Sequence, residues 1–337
     1  MIDILKTFRG IMASTDASDE AKGVAERLGK VEESRTQAER ADRYSPDEVL
    51  PVNDEWRDLY DEMLCNGEAV ARRSHVTICG MARNIAGILP VTFARLGEIT
   101  NNFGDFGVVI VENDSTDDTK AILKRFESQN PGRVLCFTND FDWPHLHGFE
   151  PERVERYAML RNTYREAVFQ HFPHTDLILA VDLDCWGGWS TKGLLNGVGW
   201  MKQYKDAACM ASTSLYQGVI VSDQVTFGHY DTWALRVHGW DELLLPWKTA
   251  WLPPPGSPPV ELYSAFGAAA WYRPEALKEV EYASINGDIE HAGLHRRMTD
   301  NGWKIYLNPA QRSLMSWQAG DDAERKHSDD TDDGVSG

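Results

Sequence analysis

Five apolar residues run directly into two acids in the stretch LILAVDLD, residues 177–184. The apolar run has no polar alternation, which is typical of a parallel strand that is covered on both faces. A second run of this kind, VVIV at 108–111, ends in the polar sequence ENDSTDDT. Polar residues that follow a buried strand lie at the carboxyl edge of a parallel sheet, where ligands bind. The stretch therefore predicts a buried strand with a polar site at its end.

The residues on either side alternate between strand and helix patterns. The predicted strands are 76–80, 108–111, 133–137, 177–181, 207–213, 266–272 and 303–307, and the helical segments are 85–99, 121–126, 151–171, 274–280 and 289–300. This alternation predicts an α/β fold with a central, mostly parallel sheet, flanking helices and right-handed crossovers. Six prolines within 246–259 predict that this segment forms no regular element.

Three regions are predicted along the chain. Residues 1–72 carry helical periodicity without a strand signal, and we interpret them as a loosely attached helical extension with no catalytic part. Residues 73–318 carry the strand–helix alternation and are predicted to form the main α/β domain. The acidic tail at 319–337 shows no periodicity and is predicted to be disordered.

The composition excludes several classes of protein. Lys and Arg number 34 and Asp and Glu 52, so the net charge of −18 argues against non-specific binding to nucleic acid or anionic membranes. The five cysteines include no C-x-x-C pair, which fits a reducing compartment better than a disulfide framework. No signal peptide or transmembrane run is visible, so we expect a soluble, cytoplasmic protein.

Asp182 and Asp184 form the sharpest motif in the chain. A spacing of two places both side chains on one side of an extended segment. Two carboxylates that close repel each other unless one takes a proton or a cation joins them, and hard oxygen ligands suit Mg²⁺ or Mn²⁺. Polar clusters also follow two other predicted strands, at 83–84 and 112–114. Their common position at one sheet edge favours a binding site over three unrelated turns.

Four motifs in this order resemble those of nucleotide-sugar glycosyltransferases with the GT-A fold, family 2 in particular. They are VVIVENDSTDDT at 108–119, MLRN at 159–162, DLD at 182–184 and EHAGLHRR at 290–297. The ENDS variant and YDTWALR at 230–236 are similar also to the fungal capsule-associated alpha-1,3-mannosyltransferase family. The resemblance covers roughly residues 75–310 and implies a GT-A, Rossmann-like catalytic domain at 73–318, with a nucleotide-binding half at 73–190 and an acceptor half at 191–318. The implied activity is metal-dependent transfer of a hexosyl group from a UDP- or GDP-sugar to a hydroxyl of a glycan or lipid-linked acceptor, with Mn²⁺ or Mg²⁺.

The resemblance also implies which residues hold the nucleotide base. Glu112 stands at the first acid of the family's D-D-G-S and would contact the base. Asn113 and Asp114 replace the second acid and the glycine, so the identity of the base stays open. The pocket would be lined by the backbone near Ala82, Arg83 and Asn84.

The same resemblance assigns the phosphate and metal side of the site. Arg161 would offset the diphosphate charge, and Asp184 would bind the metal directly. Asp182 would face either the ribose or the metal, and Leu183 is grouped with the donor-binding residues.

The helix at 290–297 departs from the family pattern at the position of the catalytic base. Inverting members carry Asp where His291 stands. His291 could be the base itself, since its ordinary pKa of about 6.5 suits proton removal at neutral pH. Glu290 or Asp288 could take that role, or the enzyme could retain configuration and need no strong base.

Two other functions are compatible with parts of the sequence. A nucleotidyltransferase also pairs an α/β sheet with carboxylate-bound metal, although the turn after the first strand reads MARN instead of a glycine-rich basic loop. A non-catalytic carbohydrate-binding protein would explain the 12 tryptophans but would need neither the D-x-D nor the helix motif.

Overall fold

The structure is a computed structural model that describes residues 45–146, 150–221, 224–238 and 245–315. The predicted helical segments before residue 45 and the predicted disordered tail lie outside the described residues. The helices are α1 (Pro46–Val49), α2 (Arg57–Ala71), α3 (Leu89–Thr100), α4 (Thr119–Gln129), α5 (Pro151–His171), α6 (Thr191–Gln203), α7 (Leu245–Ala250), α8 (Pro274–Lys278) and α9 (Glu290–Asp300), with a 3₁₀ turn at Asp54–Trp56. The strands are β1 (His75–Ala82), β2 (Asp105–Asn113), β3 (Val134–Asn139), β4 (Leu177–Asp182), β5 (Ala207–Val221), β6 (Gln224–His229), β7 (Val260–Leu262), β8 (Ala269–Tyr272) and β9 (Lys304–Met315).

Four parallel strands make up the first half of the sheet, in the order β3-β2-β1-β4. Successive residues of β2 enter opposite apolar layers, Val109 and Val111 on the side of α5 and α9, and Val108 and Ile110 on the side of α3, α4 and α6. Burial on both faces explains why these strands are continuous apolar runs. The predicted α/β class, with a central sheet and flanking helices, is confirmed.

The second half of the sheet is mixed. β8 lies antiparallel between β4 and β5, and β9 runs parallel to β5 and antiparallel to β7. β9 extends to Met315, well beyond the predicted 303–307, because buried polar side chains continue it. Asn308 donates to Asn196 Oδ1 over 3.1 Å, and Gln311 donates to the carbonyl of Met210 over 3.1 Å. Such residues satisfy the interior without giving a hydrophobic pattern.

Helix α6 was not predicted, because three glycines interrupt its sequence TKGLLNGVGWMKQ. One of them, Gly199, together with Gly67 of α2, allows the two helices to pack closely. A Cβ on Gly199 would lie 2.0 Å from the carbonyl oxygen of Met63, and a Cβ on Gly67 would lie 1.7 Å from that of Leu195. The two helix backbones therefore touch, and the glycines that hide α6 from the sequence pattern also hold it in place.

The prediction of a loosely attached arm is wrong for residues 45–72. Tyr60 and Met63 of α2 are buried, and α1 is tied to the sheet by an ion pair between Asp47 and the fully buried Arg312 of β9. The backbone N–H of Asn53 also donates to the carbonyl of Pro255 over 2.9 Å. The helical pattern was correct, but the amphipathic face of α2 packs on the domain instead of facing solvent.

The proline-rich segment contains one short helix, against the prediction of no regular element. Helix α7 begins at Leu245 and carries Pro246 in its first turn, where a proline needs no backbone donor. The remaining prolines lie beyond its end at Ala250, and β7 begins only at Val260. In the part of the chain that is described, no helix is both long and apolar enough to cross a membrane.

Candidate active site

The three polar clusters predicted from the sequence meet at one edge of the sheet. Ala82 at the end of β1 pairs in register with Glu112 of β2, and Met81 pairs with Asp182 of β4. The side chain of Ala82 is buried in the apolar core, so only its backbone faces this edge. The carboxyl ends of β1, β2 and β4 thus bring residues 82–84, 112–114 and 182–184 together, as expected for an open parallel sheet.

Asp182 and Asp184 interact electrostatically across this edge. The pKa of Asp182 is raised, first by burial and then by the negative charge of Asp184, while Arg161 acts in the opposite direction. Asp182 keeps 28% of its side chain exposed, and its Oδ1 lies 3.9 Å from Arg161 Nη2, beyond hydrogen-bond distance. Asp184 is exposed. A cation bound between these two carboxylates would relieve their mutual repulsion.

Leu183, between the two acids, points into the apolar core instead of the polar edge. Its side chain is buried in the apolar core, and its carbonyl oxygen accepts a hydrogen bond from Thr92 Oγ1 over 2.8 Å. Side chains alternate along the extended segment, so the two carboxylates lie on the side of the polar edge and the Leu183 side chain anchors the segment in the core.

Asp231 is a third carboxylate at this position that sequence reasoning left out of the site. Its negative charge contributes to the raised pKa of Asp182. Its Oδ2 accepts the N–H of Gly267 over 2.9 Å and its Oδ1 accepts that of Ala234 over 3.2 Å, yet burial still raises its own pKa. The available signal was the YDTWALR stretch. Among the described residues, no group of three or more His, Cys, Asp or Glu side chains is arranged to hold a metal ion.

Arg161 is the buried cation that faces these acids. It lies on α5, is 5% exposed, and its Nε donates to Glu290 Oε1 over 3.0 Å. Its Nη1 donates to the hydroxyl of Tyr164 over 3.2 Å, and its guanidinium lies 5.1 Å from the ring centroid of Phe266. Burial works to lower its pKa, but Tyr164, Glu290 and Asp182 raise it well above the ordinary value. The positive charge is therefore permanent.

The three candidate bases lie together at the start of α9 but in different surroundings. Asp288 binds both Nε and Nη2 of Arg236 and accepts the N–H of Ile289, so its carboxylate is fully engaged. Glu290 is paired with Arg161. A carboxylate in the first helical turn is also favoured by the helix dipole.

His291 is enclosed by aromatic rings. Its imidazole is 3% exposed and stacks on Phe266 at 4.2 Å between centroids, and Tyr282 meets it edge-on. Burial, then the positive charge of Arg161, lower its pKa well below the ordinary value, so the ring is neutral. Neither ring nitrogen has a hydrogen-bond partner, and Nε2 lies 4.0 Å from Glu290 Oε1.

The ends of β1 and β2 are joined by a network of short polar contacts. Glu112 is fully buried; its Oε1 accepts the N–H of Ser115 over 2.7 Å, whereas Oε2 is buried without a partner. Asn84 takes a left-handed conformation with φ 52° and accepts the N–H of Thr116 over 2.8 Å. Arg83 donates from Nη2 to the carbonyl of Trp143 over 2.8 Å, but its Nε is buried without a partner.

Asn113 and Asp114 complete the end of β2. Asn113 Nδ2 donates to Asp114 Oδ2 over 3.0 Å. Burial tends to raise the pKa of Asp114, but hydrogen bonds from Asn113, Phe141 and Asp142 outweigh it and lower that pKa. The predicted base-site residues are therefore brought together, with an unpaired buried acceptor on Glu112 and an unpaired buried donor on Arg83.

Comparison with known proteins gives fold-level likenesses only. No protein-family model matches the chain, and no curated protein matches it. Among solved structures, the mannosyltransferase PcManGT from Pyrobaculum calidifontis in complex with GDP-Man and Mn²⁺ is 15% identical, over 93% of this chain and 75% of that one, with a TM-score of 0.46.

Two further structures are similar over a smaller part of their own length. TarS 1-349 of S. aureus is 14% identical over 73% of this chain and 59% of its own, with a TM-score of 0.39. GalNAc-T7 with UDP, GalNAc and Mn²⁺ is 14% identical over 73% of this chain and 44% of its own, with a TM-score of 0.49. This chain thus spans little more than half of the one and less than half of the other.

Proposed function

We propose that the protein is a metal-dependent glycosyltransferase of the GT-A type, which transfers a sugar from a nucleoside diphosphate to a hydroxyl group of a glycan or lipid-linked acceptor. The observation that carries this proposal is the pair of mutually repelling carboxylates Asp182 and Asp184 at the carboxyl edge of the sheet, with the permanent charge of Arg161 3.9 Å from Asp182. Around this pair, residues 73–190 would hold the nucleotide and 191–318 the acceptor.

The residues present fit a hard divalent cation such as Mn²⁺ or Mg²⁺. Asp182 and Asp184 supply carboxylate oxygens, and their mutual repulsion is the cost that a cation would remove. Since the described side chains form no complete ligand set, the donor's phosphate oxygens would supply further ligands. A bound cation would act as a Lewis acid on the departing diphosphate.

Side chains and backbone of this protein would provide the remaining contacts to the donor. Arg161 adds a fixed positive charge behind Asp182, which a chain with a net charge of −18 needs near a diphosphate. Glu112 would accept a hydrogen bond from an N–H of the base through its unpaired Oε2. Ala82, Arg83 and Asn84 would line the same pocket.

Of the three candidate bases, His291 is favoured by its unpaired nitrogens, although burial and Arg161 hold its pKa well below the ordinary value. The carboxylates of Asp288 and Glu290 are already paired with Arg236 and Arg161, whereas the His291 ring is neutral and has unpaired nitrogens. An imidazole that takes the acceptor's proton becomes positive, and Glu290 Oε1, 4.0 Å from its Nε2, would stabilise that charge.

The proposed location is a reducing, cytoplasmic compartment. All five are described, and none of them forms a disulfide. Burial raises the pKa of the Cys136 thiol to about 12, so this group is not a nucleophile at neutral pH.

The central test is Asp184→Asn, which keeps the shape of the side chain and removes its charge. We expect Mn²⁺-dependent binding of UDP or GDP, and turnover of a panel of UDP- and GDP-sugars, to fall by on the order of a hundredfold or more. Asp105→Asn, at the opposite end of the sheet, is the matched control and should leave both unchanged. Unaltered turnover in Asp184→Asn would rule out the metal assignment.

A further inference from the structure

An aromatic stack follows β3 at the same edge of the sheet. Phe141 and Trp143 lie parallel, with ring centroids 4.3 Å apart and an interplanar angle of 18°. The guanidinium of Arg156 lies over the Trp143 ring, 4.9 Å from its centroid. Phe141 is 38% exposed, so the stack carries an accessible aromatic ring at one end. Nothing in the roles proposed so far uses this ring.

The stack is attached to the end of β2 through Asp114. The Oδ1 atom of Asp114 accepts the N–H of Phe141 over 2.7 Å and that of Asp142 over 2.9 Å. Asp114 itself adopts φ 53°, a left-handed conformation that a non-glycine residue takes at some cost. The backbone N–H of Asp114 donates to the carbonyl of Asn139, so both ends of the connection are anchored.

Two buried hydrogen-bonding atoms near the stack have no partner in the protein, and a ligand could supply both partners. Glu112 is fully buried and its Oε2 has no donor, while the buried Nε of Arg83 has no acceptor. Arg83 also holds the carbonyl of Trp143, which places this acceptor–donor pair beside the aromatic stack. Leaving buried polar atoms unpaired is costly, and a flat ring with an N–H donor next to a carbonyl would satisfy both.

We propose that Phe141 stacks on the nucleobase of the donor and that Asp114 is the positioning residue that holds it there. The inference rests on the proposed function and deepens it. The base would lie with its face on Phe141 and its edge towards Glu112 and Arg83. Asp114 would act through the two backbone N–H groups of residues 141 and 142 and would not touch the nucleotide.

The test is isothermal titration with UDP, GDP and inorganic pyrophosphate, each in the presence of Mn²⁺. Phe141→Ala should weaken UDP or GDP binding by about fivefold to a hundredfold, the usual contribution of one stacked base. Pyrophosphate binding should stay the same, because that ligand has no base. Tyr263→Ala, which removes another exposed aromatic ring, 45% exposed, is the matched control and should leave all three affinities unchanged.

Variants of Asp114 separate positioning from folding. Asp114→Gly accepts the same backbone conformation but loses the two hydrogen bonds, so it should weaken nucleotide binding as Phe141→Ala does. Asp114→Asn keeps an acceptor oxygen and should bind nucleotide nearly as the unaltered protein does. The double variant Asp114→Gly, Phe141→Ala should bind nucleotide no more weakly than the single variant with the lower affinity, because both changes remove the same contact.

The outcomes distinguish this inference from the function on which it rests. Equal loss of nucleotide and pyrophosphate binding in Phe141→Ala, or no loss of either, overturns the stacking role. Additive losses in the double variant overturn the positioning role of Asp114. An unaltered protein that binds pyrophosphate but neither nucleotide also overturns the inference, whereas one that binds none of the three ligands overturns the proposed function as well.

Discussion

Acidification should destabilise the protein through His295 by a predictable amount. This side chain of α9 is fully buried; its Nδ1 lies 2.9 Å from Ser264 Oγ and its Nε2 3.1 Å from the hydroxyl of Tyr272. Burial lowers its pKa from 6.5 to about 3. The other histidine ring in contact, His291, is 6.0 Å away between centroids and is also held neutral. The folded state therefore keeps His295 uncharged down to low pH.

The sign follows from the proton balance. Below pH 6.5 the unfolded chain binds a proton at His295, whereas the folded chain does not bind one until the pH nears 3. The contribution of His295 to stability is therefore fully present above pH 6.5 and falls as the pH drops towards 3. Between pH 7.5 and pH 5, the difference in protonation amounts to about 2 kcal/mol in the free energy of unfolding.

The assay is urea unfolding followed by tryptophan fluorescence, at pH 7.5 and at pH 5. His295→Gln keeps hydrogen-bonding atoms without the titration, so its loss of stability on acidification should be about 2 kcal/mol smaller than that of the unaltered protein. His174→Gln, an exposed histidine in the turn before β4, should lose as much stability as the unaltered protein. Equal losses for His295→Gln and the unaltered protein would refute the reasoning.

Three further predictions concern packing, charge and catalysis. Gly67→Ala should destabilise the protein by about 1–3 kcal/mol in urea unfolding, because its Cβ would meet a helix backbone, whereas Gly97→Ala, with no atom within 4 Å of its Cβ, should not. Arg161→Met should cost about 3–5 kcal/mol by leaving Glu290 buried and unpaired, and the added change Glu290→Gln should restore part of that loss. His291→Ala should lower kcat by roughly 100-fold or more in a pH–rate measurement, and an unchanged rate and profile would remove His291 from the chemistry.

Much of the first half of the fold was predictable because its elements carry strong local patterns. Helix α5 occupies residues 151–171, the predicted range, and the apolar runs 108–111 and 177–181 lie inside β2 and β4. Strands covered on both faces must be apolar throughout, so burial leaves a direct mark on the sequence. The second half was less predictable. Buried polar residues continue β9 beyond its apolar part, and glycines interrupt the helical pattern of α6.

The candidate site divides in the same way. The motif residues 112–114 and 182–184 could be placed at one sheet edge from their positions after strands. Asp231 could not, because it follows β6, a strand with no recognisable pattern, and reaches Asp182 only through the mixed half of the sheet. The stack of Phe141 and Trp143 was missed because the segment that carries it is held by hydrogen bonds to Asp114, a residue distant in sequence.

Residue order alone was enough to specify the parallel α/β core and the polar edge, because periodicity and strand ends are local properties of the chain. Only the folded arrangement determined which charges are paired, which are merely near each other, and which polar atoms lack partners. Asp288 and His291 are three residues apart, yet one is bound by Arg236 from the segment after β6 and the other is enclosed by aromatic rings. Electrostatic environment depends on neighbours that are distant in sequence, so the chemistry of each side chain was settled by tertiary packing.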